Sequence, residues 1–119
     1  MASEIRCSGN LTVNRDGFQI VGNSSTIIDM TGSNYVGKPQ VIGTTYETVN
    51  IGQCGNIRYV YIKNVSTGSV SVSMHADSQS FAVMQEDDFI VLPPSASFVT
   101  YKAKSTLAGS TVQVVACEK

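Results

Sequence analysis

The sequence contains no tryptophan, one histidine and three cysteines among its 119 residues. Active sites and metal centres are commonly assembled from such side chains, so catalytic and metal-binding functions have little material here. The cysteines, Cys7, Cys54 and Cys117, are odd in number and far apart, which suits neither a disulfide framework nor a zinc site. We expect them to be thiols in a reducing compartment, and we expect no metal and no cofactor.

Charge is also scarce, since only 14% of residues are charged and the formal net charge is −1. The eight basic residues are dispersed, which argues against binding to a nucleic acid backbone. No stretch approaches the ~20 apolar residues of a membrane span, and residues 1–7 lack the apolar segment of a secretion signal. These absences predict synthesis in the cytoplasm and no association with nucleic acid or membrane.

The abundant residues are β-branched or carry hydroxyl groups. Valine and isoleucine number 24 against 3 leucines, and serine and threonine number 25. β-Branched side chains are restricted about χ1 and fit a pleated, half-buried surface. The composition therefore predicts an almost entirely β protein.

Alternating apolar residues indicate a hairpin at the start of the chain. Apolar side chains occupy odd-numbered positions at Ile5, Cys7, Leu11 and Val13, so they would lie on one face of a strand. The turn-forming segment 14–17 follows them. We expect a further turn at residues 22–25 and a third short strand over 27–30. The first 36 residues are rich in Asn, Ser and Gly, and they could form a hairpin or arm that packs on a neighbouring molecule.

The most regular alternation predicts a second hairpin, with strands over residues 58–65 and 69–76 around a short loop at 66–68. Other short apolar runs predict strands at 40–43, 46–51, 81–84, 89–92, 98–103 and 111–117. Nine or ten short strands favour a single all-β domain over residues 1–119. The expected fold is an antiparallel β-sandwich or a jelly-roll-like structure, with a closed barrel as the alternative.

Tyr59 and Tyr61 share one face of a predicted strand, opposite Val60 and Ile62, so one of these pairs must face away from the core. Inward-facing core residues are the simpler interpretation of the tyrosines. Facing outward, they would form a platform for a sugar or another subunit, because tyrosine combines apolar area with a polar tip.

Glu86, Asp87 and Asp88 concentrate three of the nine acidic residues in one predicted loop. Carboxylates can bind Ca²⁺ or a partner's arginine. No Asp-x-Asp spacing with a turn glycine supports a calcium site, so we interpret the segment as a solvated turn, with a partner contact as the alternative.

His75 is the single histidine, and Asp77 shares its strand face, so a Ser-His-Asp arrangement is conceivable. No Gly-x-Ser-x-Gly turn accompanies it, and a solvent-facing histidine is the simpler interpretation. Cys54 has no neighbouring His or cation to lower its pKa, so we interpret it as inert. We therefore predict no catalytic residues and no enzyme activity.

Three segments in the middle of the chain, residues 42–49, 51–52 and 60–64, resemble a recurrent pattern in small all-β structural proteins of tailed bacteriophages. The early hairpin and the Met30-Thr31-Gly32 stretch extend the likeness, and residues 106–109 match it in part. Leu92-Pro93-Pro94-Ser95 stands where a Pro-Gly-Glu turn is common in that family, so a contact through the missing acid is not expected.

The resemblance implies a virion structural protein on the capsid surface, acting as a decoration or cement subunit. Its expected partners are the major capsid protein and copies of itself, with a trimer favoured because capsid lattices offer local three-fold sites. Candidate contact residues are Glu86, Asp87, Asp88, Tyr59 and Tyr61. The alternative is a carbohydrate-binding or adhesion module of a phage fibre or neck.

Overall fold

The computed structural model describes residues 5–28, 35–50, 57–67, 69–76, 79–92 and 101–118. Within these ranges the chain contains strands, turns and bends but no helix, and every strand pairing is antiparallel. The prediction of an all-β fold is confirmed. The described ranges contain ten strands: β1 Ile5–Arg15, β2 Phe18–Ile28, β3 Tyr35–Ile42, β4 Glu47–Thr48, β5 Ile57–Asn64, β6 Val72–Ala76, β7 Gln79–Met84, β8 Phe89–Leu92, β9 Tyr101–Ser105 and β10 Ser110–Glu118.

The chain divides into two compact units, Met1–Thr31 and Gly32–Lys119. The described residues of the first unit form the two-stranded sheet β1-β2, which we call the N-terminal hairpin. Its loop is Asp16-Gly17, and both residues have positive φ, 51° and 83°. This is the backbone of a two-residue hairpin turn whose twist matches that of the flanking strands.

The early hairpin is confirmed, but the turn at residues 22–25 and the third strand at 27–30 are wrong as predicted. β2 continues without interruption to Ile28, and Gly22 pairs with Leu11 while Ser24 pairs with Gly9. Small polar residues continue a ribbon whose two faces are largely solvent-exposed, so their turn preference does not end the strand. Residues 29 and 30 lie outside the described residues.

The second unit is a sandwich of two four-stranded sheets. Sheet I has the order β3-β10-β5-β8, and sheet II has the order β4-β9-β6-β7. Neither sheet closes on itself within the described residues, which agrees with the sandwich prediction and not with the barrel alternative. The pairings are nested, because β3 pairs with β10, β4 with β9, β5 with β8 and β6 with β7. From β3 to β10 the strand pairing is thus that of one long hairpin folded across two sheets.

Alternate residues of both sheets fill one core. Its buried members are Val36, Ile42, Val49, Val60, Ile62, Val72, Met74, Met84, Tyr101, Ala103, Val112, Val114 and Ala116. Fully burying a Val, Ile or Met side chain contributes about 1.5–3 kcal/mol, so this layer is the main source of stability in the sandwich. The side chains at the other alternate positions of each strand lie on the outer faces of the sandwich.

The hairpin predicted between residues 58–65 and 69–76 is wrong, although both strands exist. β5 lies in sheet I and β6 lies in sheet II. Val60 and Ile62 of β5 and Val72 of β6 are all fully buried, so both strands point their apolar residues into the same core from opposite layers. The intervening segment therefore crosses between the sheets instead of reversing within one.

Candidate interaction surface

Tyr59 and Tyr61 lie on the outer face of sheet I. Their neighbours in β5, Val60 and Ile62, are both fully buried, and the tyrosines between them are half-buried. A strand directs successive side chains to opposite faces, so inward valine and isoleucine force the tyrosines outward. Their interpretation as core residues is wrong.

The register of sheet I places other apolar residues beside the tyrosines. Val115 lies opposite Tyr61 and Cys117 lies opposite Tyr59, while Val91 flanks Tyr61 on its other side. Directly paired residues share a face of the sheet. We define the tyrosine face as the outward residues of sheet I that are aromatic or branched apolar: Tyr35, Val41, Tyr59, Tyr61, Phe89, Val91 and Val115.

Ring contacts organise the tyrosine face. The ring centroids of Tyr61 and Phe89 are 5.9 Å apart, within the range of aromatic pairing. The Arg58 guanidinium carbon lies 4.4 Å from the Tyr59 ring centroid, close enough for a cation–π interaction. Tyr35, Val41 and Phe89 are exposed, and Lys63 lies on the same face opposite Phe89, so the face presents both apolar area and positive charge.

The acidic segment is an exposed turn between β7 and β8, so its interpretation as a solvated turn is confirmed. The backbone N–H of Asp88 donates to the Gln85 carbonyl at 3.1 Å, and the Gln85 N–H donates to the Asp88 carboxylate at 2.9 Å. Asp87 has a left-handed φ of 66°. The Asp88 carboxylate thus holds the turn, whereas the carboxylates of Glu86 and Asp87 lie on exposed residues.

Asn64 anchors this turn and was missed by the sequence reasoning. Its fully buried side-chain amide lies 3.0 Å from the Val70 carbonyl oxygen and 3.1 Å from those of Met84 and Gln85. Its backbone N–H also donates to the Asp88 carbonyl at 2.9 Å. The sequence does place Asn64 two residues after Ile62 and four after Val60, so a polar residue at this position is expected to point into the core.

His75 lies on the outer face of sheet II and is half-buried there. Its ring centroid is 4.6 Å from that of Tyr46, and the Lys104 Nζ lies 4.8 Å from the Tyr46 ring centroid. The His75 Nδ1 atom is buried and makes no hydrogen bond in the part of the chain that is described. The His75 ring therefore packs against Tyr46, where the sequence predicted a solvent-facing side chain, and Asp77 lies outside the described residues.

Among the described residues, the remaining candidate groups do not form a second site. Cys54 lies outside the described residues, and the Cys117 thiol is 3.9 Å from the Tyr59 carbonyl oxygen. Across the described ranges, no cluster of three or more His, Cys, Asp or Glu side chains could hold a metal ion. The same ranges contain no helix that is long and apolar enough to span a membrane.

In comparisons with known proteins, no family model, curated protein sequence or solved structure matched this chain. The geometry of the tyrosine face, the acidic turn and the N-terminal hairpin is therefore the basis for a functional assignment.

Proposed function

We propose that this protein is a non-enzymatic structural subunit of a virion that attaches to the capsid surface as a decoration or cement protein. The observation that carries the proposal is the tyrosine face, whose exposed aromatic and branched side chains are arrayed on the outside of sheet I. The register places Tyr61 beside Val91 and Val115, and apolar side chains grouped on the outside of a folded domain commonly mark an interaction site. The partners are the major capsid protein and further copies of this chain, a trimer being the favoured assembly.

The strand order supports the same assignment. The nested pairing of β3 with β10 through to β6 with β7 is the pattern expected of an eight-stranded jelly roll, an architecture that occurs in viral capsid and lectin domains. A fold shared by several functions does not identify one by itself. It is, however, consistent with a subunit that acts through its surfaces.

Attachment to a repeated lattice also explains how a small apolar surface on each copy can give stable binding to the capsid. Each copy contributes a limited apolar contact, and repetition over many lattice positions raises the overall strength of attachment by avidity. Such a subunit would bridge neighbouring capsid proteins and oppose outward pressure from packaged DNA. The exposed acids Glu86 and Asp87 are its candidate polar contacts, because carboxylates pair with arginines at interfaces.

The experiment that tests this proposal compares attachment of variants to capsids purified without the protein. Tyr61→Thr combined with Phe89→Thr removes the aromatic pair but keeps β-branched residues suited to a strand. Val83→Thr is the matched control, because Val83 is an exposed apolar residue on the outer face of sheet II. We expect the double variant to lose attachment and the control to retain it; equal attachment by both would exclude the tyrosine face.

A second candidate function is recognition of a glycan at a phage fibre or neck. The observation that favours it is the outward position of Tyr59 and Tyr61, because aromatic rings on a solvent-facing surface can stack against sugar rings. Retention on a glycan array, abolished by Tyr61→Thr and unaffected by Val83→Thr, together with failure to attach to capsids, would select this function.

A further inference from the structure

The outer face of sheet II brings both lysines of β9 beside the single histidine. Tyr101 and Ala103 are buried, so Lys102 and Lys104, which alternate with them, point outward. Lys102 lies directly opposite His75 of β6, and directly paired residues share a face of the sheet. We call Lys102, Lys104 and His75 the basic cluster.

Contacts with Tyr46 hold part of the basic cluster in place. The Lys104 Nζ atom lies 4.8 Å from the Tyr46 ring centroid, and the His75 ring centroid lies 4.6 Å from the same point. All three members of the cluster are half-buried, so their side chains pack along the sheet instead of extending freely into water. A ligand would therefore meet side chains that are already partly ordered, which lowers the entropy lost on binding.

The described strands of sheet II place no carboxylate beside the basic cluster. The residues paired with it on the outer face carry hydroxyl groups: Thr48 opposite Lys102, Ser73 opposite Lys104 and Ser80 opposite His75. Glu47 lies opposite the buried Ala103, and its carboxylate accepts a hydrogen bond from the Gly43 N–H at 2.8 Å. The cluster therefore combines two positive charges with hydroxyl groups, and the sheet supplies no counter-charge at these positions.

The imidazole of His75 has a hydrogen-bonding atom that the fold does not use. Its Nδ1 atom is buried and has no partner among the described residues. Most buried polar atoms in proteins are hydrogen-bonded, and an exception calls for an explanation such as a water or an ion. A half-turn of the ring about the Cβ–Cγ bond exchanges Nδ1 with Cδ2, so the ring can present this nitrogen to a ligand while it still packs on Tyr46.

We propose that the basic cluster binds a phosphate group, either as free phosphate or as a phosphomonoester carried by a sugar. A phosphomonoester at neutral pH carries close to two negative charges and three strong acceptor oxygens, which match two ammonium groups beside hydroxyl groups. Lys102 and Lys104 are two residues apart, about 6.6 Å along the strand, so their flexible side chains can reach one phosphate together. The site lies on sheet II, so it does not depend on the tyrosine face of sheet I or on the proposed function.

An NMR titration of the backbone amides of the full chain tests the proposal, with inorganic phosphate and glucose 6-phosphate as probes at constant ionic strength. We expect saturable shifts centred on residues 46, 73, 75, 102 and 104. Lys102→Gln with Lys104→Gln should bind both probes at least about tenfold more weakly, because two charge-assisted contacts are lost. Lys38→Gln with Lys63→Gln is the matched control, since it removes the same charge from two strands of sheet I, and it should bind like the unmodified chain.

Two outcomes of this titration would overturn the proposal. One is the absence of saturable shifts with both probes, and the other is equal weakening in the two double variants, which would mean that phosphate responds only to overall charge. A comparison of the probes identifies the source of the phosphate if the site binds. Tighter binding of glucose 6-phosphate would assign the site to a phosphorylated sugar, and equal or weaker binding would assign it to free phosphate.

The part played by the imidazole is tested by His75→Phe, which keeps an aromatic ring beside Tyr46 but removes both ring nitrogens. We expect phosphate to bind several-fold more weakly to this variant, while its circular dichroism spectrum stays that of the unmodified chain. Unchanged affinity in the folded variant would overturn the assignment of His75 to the site.

Discussion

Tyr61 and Phe89, from neighbouring strands of sheet I, place their ring centroids 5.9 Å apart on its outer face. Neither ring is part of the core, since the buried residues of these strands are Val60 and Ile62, with Ile90 and Leu92 packed against them. The pair therefore adds more to the chemistry of the surface than to folding. Because the pair lies outside the core, its effect on capsid attachment can be measured separately from its effect on stability.

We expect Tyr61→Thr with Phe89→Thr to lower the free energy of unfolding by about 2 kcal/mol, because the ring pair is lost together with the burial of the half-buried Tyr61 side chain. Urea denaturation, with the slope of the transition unchanged, measures this effect. A loss several times larger would mean that the rings support the core, and a fall in attachment could then be attributed to unfolding.

Substitution of Asn64 should lower the free energy of unfolding far more, because its buried amide joins β5 of sheet I to the carbonyl groups of Val70 and Met84. Asn64→Ala leaves buried carbonyls without a donor, and we expect a loss of about 2–4 kcal/mol in urea denaturation. Asn64→Asp is the matched variant, since it keeps the shape but removes both N–H donors. Stability close to that of the unmodified chain in either variant would contradict this role.

Asp87 has a φ of 66°, a conformation that glycine adopts without strain and that β-branched residues strongly disfavour. We expect Asp87→Gly to leave stability unchanged or slightly raised, and Asp87→Val to lower it by about 1–2 kcal/mol. Thermal unfolding of the two variants measures the difference. If valine were tolerated as well as glycine, the turn would not have the backbone described.

His75 tests the non-enzymatic assignment. Its ring packs against Tyr46, so His75→Ala removes this contact and should cost some stability. We expect capsid attachment to persist in the alanine variant, because His75 lies on sheet II and the tyrosine face lies on sheet I. If the substitution abolished a hydrolytic activity of the purified protein, the assignment would have to change to an enzyme.

Alternation in the sequence predicted the strands well, but it did not predict their partners. Apolar and polar side chains alternate in both residues 58–65 and residues 69–76. This alternation identifies which side chains of each strand are buried, but it does not show to which sheet each strand belongs. A short polar loop between them can reverse the chain or cross between layers. In the structure the chain passes from one sheet to the other between these strands, so Val60 and Val72 lie in the same core.

The orientation of Tyr59 and Tyr61 could not be derived from the sequence, because each parity of that strand combines two large apolar or aromatic side chains with a charged one. Only the packing of Val60 and Ile62 against the second sheet decides it. The role of Asn64 depends in the same way on tertiary contacts. Its carbonyl partners Val70, Met84 and Gln85 are 6, 20 and 21 residues away.

Titration of the purified protein onto capsids that lack it shows whether this chain is a capsid-binding structural subunit. The account predicts saturable attachment at a fixed ratio of copies to capsid subunits, reduced by Tyr61→Thr with Phe89→Thr and unaffected by Val83→Thr. Absence of attachment, or attachment that never saturates, would contradict it.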